Sequence, residues 1–295
     1  MVLLRRTLVA LAIALAAVVA GIAVSIPLDG WLNRGRVAAL TNAVADGAPP
    51  VAVYLARPAA PARPAGPARP AAPAGPATPA GPDAATGPDA AAEPLPAVVM
   101  IHEFWGLNEA LRSKADLLAA EGYLVVAPDT LRGQATRWLP KALWHTLSTP
   151  DERVIDDLDS VIAWLRTRDD VDPERIVVMG FCYGGGKALA YALARPGVPA
   201  GTAVFYGDLS DDATALARLE GPVLGVFGRD DTLVTPAEVD DFERALRQAG
   251  VDHVLLRFDD VGHAFVTSAE GIASDPTQAA AWGAWSAWLR DVTAR

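Results

Sequence analysis

Short apolar runs alternate along this chain with longer stretches whose apolar residues recur at three- and four-residue steps. These are the patterns of buried strands and of helices with one covered face. Arg175 to Met179, Pro222 to Gly228 and His253 to Phe258 read as strands. Asn108 to Ala120 reads as a helix that starts on a capping residue and closes at Gly122, and Asp151 to Arg168 carries Val154, Leu158, Val161, Ile162 and Leu165 on one face. Lys187 to Ala194 follows the first of those strands. Thr235-Pro-Ala-Glu238 is a capping box opening a helix to Ala249, and Asp275-Pro276 opens the last helix, with Trp282, Trp285, Trp288, Leu289 and Val292 as its apolar stripe. This alternation predicts a doubly wound α/β domain whose mostly parallel sheet is covered on both faces. The stretch with Trp138, Leu139, Leu143, Trp144 and Leu147 has no place in that scheme and reads as a loop whose aromatics pack or line a mouth.

The N-terminal part follows another pattern. Arg5 and Arg6 precede an uncharged run from Thr7 to Ile26, and about 20 apolar residues suffice to cross a bilayer. The expectation is an uncleaved signal anchor, with 1–6 a cytoplasmic n-region, 7–26 a single transmembrane helix, 27–50 a tether and 51–295 a domain outside the cell membrane. The alternative is a signal peptide cleaved near the small-x-small site Ala23-Val-Ser25, giving a secreted protein. Arg34 and Arg36 beyond the run nearly balance Arg5 and Arg6, so charge alone does not set the orientation. Residues 58–96 are a Pro/Ala/Gly tract that cannot pack a core and is expected to be disordered and extended.

Candidate chemistry centres on Gly180-Phe-Cys-Tyr-Gly-Gly185, which sets the only cysteine of 295 residues where a strand turns into a helix. Glycines two before and two after Cys182 leave room for a sharp, strained turn, a nucleophile elbow that raises the sulfur above the sheet. Such a turn also points the Tyr183 N–H at a developing oxyanion. An isolated cysteine is otherwise a small buried hydrophobe, and the glycine frame favours the nucleophile. A thiol is mostly protonated at neutral pH and needs a base. Of the four histidines, His102 sits at a strand end, His145 in the aromatic loop and His253 at a strand start. His263 leaves a strand on the glycine-assisted loop Asp259-Asp-Val-Gly-His263, which suits a base. The orienting acid is Asp231 or its neighbour Asp230, with the Asp-x-x-Val step favouring Asp231. The chain order is nucleophile, acid, histidine, at spacings of 49 (231−182) and 32 (263−231) residues.

These residues carry a resemblance to the dienelactone hydrolase family, the cysteine branch of the α/β-hydrolases. Val98 to Gly106 resembles the family's strand ending in His-Glu-x-x-Gly, Gly122 to Asp129 and Ala203 to Gly207 resemble later strands, and Val51 to Arg57 resembles its opening strand. The likeness covers residues 51–57 and 97–293, so 58–96 becomes an insertion between two strands of one domain. It implies an α/β-hydrolase fold and hydrolysis of carboxylic esters or lactones through a thioester. By position it implies Cys182 as nucleophile, His263 as base, Asp231 as its orienter and Glu103 as the carboxylate that takes the thiol proton. The N–H groups of Phe104 and Tyr183 would form the oxyanion hole. Members that cleave dienelactones are expected to hold the substrate carboxylate with arginines. Here Thr267 stands four residues after His263 in place of one, and Arg132 lies near the place of the other without aligning to it. A substrate other than a dienelactone is therefore expected. Trp105, Arg132, Trp138, Trp144, Tyr206 and Thr267 are the candidate pocket residues. A non-catalytic envelope binding protein and an acyltransferase on the same site are the alternatives.

Composition narrows the partners. Thirty-five acidic against 25 basic residues give a net charge of −10, which disfavours nucleic acid and anionic lipid. One cysteine cannot form an internal disulfide. No metal or cofactor is expected for thiol chemistry of this kind. The expected partners are a small ester or lactone substrate and the membrane itself, through the N-terminal helix.

Overall fold

The computed structural model describes residues 39–58 and 93–294, with the isolated positions 21, 24, 25, 28, 29 and 31. The n-region, most of the apolar run and the Pro/Ala-rich tract from 59 to 92 lie outside the described residues. Among the described residues no helix is long and apolar enough to cross a membrane.

Among the described residues eight strands form one sheet: β1 (Ala43–Ala45), β2 (Val51–Ala56), β3 (Leu95–Ile101), β4 (Leu124–Pro128), β5 (Val171–Phe181), β6 (Gly201–Phe205), β7 (Val223–Gly228) and β8 (His253–Phe258). Their spatial order is β1-β2-β4-β3-β5-β6-β7-β8. The pairs β1/β2 and β2/β4 are antiparallel and the remaining pairs parallel. The helices are α1 (Glu109–Ala120), α2 (Leu139–Ser148), α3 (Asp151–Arg166), α4 (Tyr183–Ala194), α5 (Ala213–Leu216), α6 (Pro236–Ala249), α7 (Ala269–Ser274) and α8 (Pro276–Thr293).

Successive strand residues point to opposite faces, so each central strand feeds two cores. On β5, Val177, Met179 and Phe181 join Leu111, Leu118, Phe242, Trp285 and Leu289 of α1, α6 and α8. Ile176 and Val178 instead join Val154, Leu158, Ile162 and Tyr191 of α3 and α4. The expected tryptophan stripe of α8 is core, with Trp285 fully buried. The capping box at Thr235 is formed. From β3 the chain steps to β4 on one side and then crosses back over β3 to β5. Crevices for ligands open at such a reversal, outside the carboxyl ends of the strands.

Several boundaries differ from expectation: β1 lies within 27–50, read as a tether, because it pairs with β2, and β3 begins at Leu95, within the tract 58–96 read as disordered, because it pairs with β5 from Leu95 on. The strand placed at Arg175–Met179 runs from Val171 to Phe181, because β3 pairs with it along most of that length. The helix placed at Asp151–Arg168 ends at Arg166, where Thr167 takes up the last turn. A larger correction concerns 138–147, read as a loop. It forms α2, since Pro140 sits in the first turn and Leu139, Leu143 and Leu147 recur every four residues. Its apolar stripe points to solvent, and only Lys141 and Ala142 are buried. The Pro/Ala-rich tract departs at the edge opposite the crevice: Ala56 pairs with Val125 near the start of β4, and Arg57 is bonded to Asp170 just before β5.

Candidate active site

β5 ends at Phe181 and α4 begins at Tyr183, leaving Cys182 alone at the turn with φ 52° and ψ −117°. A non-glycine residue in that region is strained and persists only when its surroundings hold it. Here the Cys182 N–H donates to Phe205 O at 2.9 Å, while the N–H groups of Gly185 and Gly186 donate to Cys182 O at 2.9 and 3.2 Å. The flanking glycines are a packing requirement. A Cβ on Gly180 would fall on the Gly184 carbonyl, and one on Gly184 would fall on the carbonyls of Ile101 and His102. Tyr206, Asp260 and Ala264, on loops after β6 and β8, also have positive φ.

His263 arrives on the loop after β8 and Asp231 on the loop after β7. The His263 Nε2 lies 3.1 Å from the Cys182 Sγ, and its Nδ1 lies 2.9 Å from Asp231 Oδ2. The second oxygen of Asp231 accepts the N–H groups of Leu233 and Val234 at 2.8 and 3.0 Å. A carboxylate that already accepts two N–H groups can only accept from Nδ1 as well. The imidazole therefore carries its proton on Nδ1 and turns a free lone pair to the thiol. Asp230, the competing acid, is exposed. Tyr206 is fully buried with its ring edge-on to His263 at 5.4 Å, and its hydroxyl donates to Val266 O at 3.1 Å.

Opposite the histidine, the loop after β3 brings Glu103 and Phe104 to the sulfur. Gly106, at φ 86°, lets that loop turn tightly enough for its N–H to reach Glu103 O at 2.9 Å. Burial pushes the Cys182 thiol up to about 12, and the charges of Glu103 and Asp208 push the same way. The N–H groups of Tyr183 and Phe104 act against this by bonding the sulfur. A backbone donor at the start of α4 and another on the loop after β3 thus converge on the sulfur. At rest the thiol is neutral and hydrogen-bonded.

Two residues of this site escaped the sequence reading. His102, weighed there only as a rival base, is fully buried; its Nδ1 lies 2.7 Å from Glu103 O and its Nε2 2.9 Å from Thr130 Oγ1. The carbonyl can only accept, so Nδ1–H donates to it and Nε2 accepts the threonine hydroxyl. Burial lowers its pKa to about 4, so the ring stays neutral while it pins the loop carrying Glu103 and Phe104. Lys114 on α1 is also buried, its Nζ 3.7 Å from the centre of the Phe181 ring and 3.2 Å from Val266 O. Burial lowers it to about 8, and the Glu103 charge opposes that. Its place on the apolar face of an amphipathic helix was the available signal.

The pocket candidates separate. Trp105 lines a cavity of about 600 Å³ with Leu40, Leu107, Ala110 and Arg137. Arg132 is bonded to the buried Asp157 at 2.7 Å, and both the N–H and hydroxyl of Thr267 bond to Gln278. Neither presents a free cation to the sulfur. Trp138 caps α2, bonding through its N–H to Thr136 Oγ1, and Trp144 is 55 % exposed. Tyr206 supports His263 from beneath. Among the described residues no group of three or more metal-ligating side chains occurs.

A mostly parallel sheet with a cysteine on a strained elbow after β5, and an acid and a histidine on the loops after β7 and β8, defines an α/β-hydrolase-like fold. More narrowly, the chain belongs to the dienelactone hydrolase family, whose model matches residues 83–293. It is 32 % identical over 186 residues to the "Putative carboxymethylenebutenolidase" of Escherichia coli strain K12, covering 58 % of this chain and 68 % of that one. A protein of the same name from Synechocystis is 27 % identical over 204 residues, covering 63 % of this chain and 82 % of that one. In three dimensions it is similar to the crystal structure of a "Putative Dienelactone Hydrolase" from Klebsiella pneumoniae, with TM-score 0.60 and 29 % identity over 66 % of this chain and 87 % of that one.

Proposed function

We propose that this hydrolase cleaves carboxylic esters or lactones through Cys182, His263 and Asp231, by way of a thioester. The line of contacts from Asp231 through His263 to the sulfur, at 2.9 and 3.1 Å, carries the reading, because it offers one path for a proton to and from the reacting atoms. The substrate carbonyl enters with its oxygen towards the N–H groups of Phe104 and Tyr183. A thiol raised to about 12 cannot attack as a resting thiolate. Its proton leaves as the carbonyl arrives, to Glu103 or to His263, while the sulfur bonds to the acyl carbon. The tetrahedral intermediate collapses, the C–O bond breaks, and the alcohol leaves with a proton. Water deprotonated by His263 then attacks the thioester, releasing the acid and restoring the thiol. With Arg132 and Thr267 both engaged elsewhere, an apolar ester fits better than a small dicarboxylate.

The test is intact-mass analysis after mixing with an activated ester. An acyl adduct confined to Cys182 that turns over in the wild type, accumulates in His263→Ala and is absent in Cys182→Ala is the expected result. Stable binding without any adduct would replace catalysis by an envelope binding role. The apolar run 7–26 supports a second element, a signal anchor that leaves the domain outside the cell membrane. Intact chain in the membrane fraction, resistant to high salt, is expected. A mature N-terminus near Ile26 would instead make it a secreted enzyme.

A further inference from the structure

Ten large apolar side chains are exposed among the described residues, and seven of them lie on two segments. Leu139, Leu143, Trp144 and Leu147, from 48 to 86 % exposed, form one stripe of α2. Val24, Leu28 and Trp31, from 52 to 70 % exposed, recur at four- and three-residue steps on the helical positions before the sheet. The two segments touch: Asp29 Oδ2 lies 2.9 Å from the Nζ of Lys141, whose side chain is completely buried. Lys141 is the one formally charged residue in α2, and this ion pair occupies it on the inner face. The outer face of α2 therefore carries leucines and a tryptophan with no charge among them. An exposed, uncharged apolar stripe on a chain of net charge −10 points to a surface that covers it.

The position of Asp29 identifies it. The uncharged run ends at Ile26, three residues (29−26) before Asp29, or less than one helical turn of about 5.4 Å. When that run spans a bilayer, Asp29 stands at the membrane surface, and its bond to Lys141 holds α2 at the same depth. Leucine and tryptophan on the free face of such a helix suit the headgroup–acyl boundary, where tryptophan concentrates. The loop that leads into α2 is tied to the one that carries Glu103 and Phe104: the Thr136 N–H donates to Trp105 O at 2.9 Å, and Arg153, in the first turn of α3, bonds to Thr130 O just past the end of β4.

We propose that the outer face of α2, with Val24, Leu28 and Trp31, sits in the surface of a phospholipid bilayer, so that the Cys182 site opens on to the membrane and draws esters dissolved in it. This seat depends on the membrane anchor proposed above and adds to it a contact and a substrate class. The net negative charge assigns the contact to apolar insertion and not to anionic headgroups.

The test uses the full chain reconstituted in phosphatidylcholine vesicles. In a Cys182→Ala background, Leu147→Cys provides the only thiol for an environment-sensitive fluorophore, and lipids brominated along the acyl chain serve as quenchers. The expected result is loss of at least half the fluorescence, relieved when Leu143→Glu is added. With Cys182 restored, Leu143→Glu/Leu147→Glu should lose at least tenfold in kcat/KM for a long-chain ester carried in the vesicles, and less than twofold for a water-soluble acetate ester. Chain that pellets with the vesicles while the probe stays unquenched would overturn the seat and leave the anchor standing. Chain that stays in the supernatant would overturn both. A probe shielded from the lipid quencher in a species of twice the monomer mass would assign the face to a second copy, against the proposal.

Discussion

The state of the resting thiol decides how this site begins its reaction. Its pKa of about 12 against an ordinary 9.0 corresponds, over 12 − 9 = 3 decades, to about a thousandfold less thiolate at neutral pH. A more basic thiolate is also a better nucleophile, with a slope of about 0.4–0.5, which returns roughly twentyfold. The net expectation is alkylation about 50-fold slower than that of an unperturbed cysteine at pH 7. Because Cys182 is the only cysteine, intact mass after iodoacetamide reports this one site. The logarithm of the rate should rise steadily with pH from 6 to 10 without a plateau. Glu103→Gln removes the negative charge that most raises the thiol and should increase the rate at every pH in that range. A flat, fast reaction from pH 5 to 9 would be the signature of a thiolate–imidazolium pair present at rest. That outcome would refute the reasoning, since the proton would already be on His263 and Glu103 would have none to take.

Three further outcomes follow from particular contacts. In Asp231→Asn the side-chain oxygen would keep the Leu233 and Val234 N–H groups and turn its amide to His263, imposing the wrong tautomer; kcat should fall about 10⁴-fold with the melting temperature little changed, and a loss under tenfold would contradict the orienting role. His102, lowered to about 4 from 6.5, binds fewer protons folded than unfolded between those values, so its share of stability is complete above about pH 6.5 and is lost as pH falls through 4, by up to about 3 kcal/mol. Asp129, raised to about 6 by burial, acts with the opposite sign; the wild type should therefore be compared with His102→Gln by urea unfolding at pH 7 and 4.5, and an equal pH dependence in both would rule the histidine out. Lys114→Met keeps the contact with Phe181 but removes the buried charge near Glu103. Stability at pH 7 should hold or rise while kcat/KM falls on the order of tenfold, and parallel loss of both would make Lys114 purely structural.

What was legible in the sequence is what backbone geometry demands of residue type. Gly180 and Gly184 are forced because the ends of β3, β5 and α4 meet with no room for a Cβ, so the elbow announced itself as a spacing of small residues around one cysteine. Asp231 and His263 were readable for a related reason, since each leaves the end of an apolar run and parallel strands deliver all such ends to one edge. The residues that escaped are those whose meaning lies in what they face. His102 has the sequence context of any strand-end histidine, and only the fold shows the Glu103 carbonyl on one side of it and Thr130 on the other. Beyond its place on the apolar face, nothing in the pattern of α1 singles out Lys114, whose meaning appears only where the helix turns it onto Phe181. α2 failed in the opposite sense: its four-residue period was present, but the segment reads as a loop because its apolar stripe has no place against the sheet, and in the fold that stripe faces outward. The direction of a stripe is set by what surrounds the helix. A face that no part of the described chain covers is therefore evidence about surroundings, and its ion pair to Asp29, three residues past the end of an uncharged run, is what turns the proposal towards a membrane.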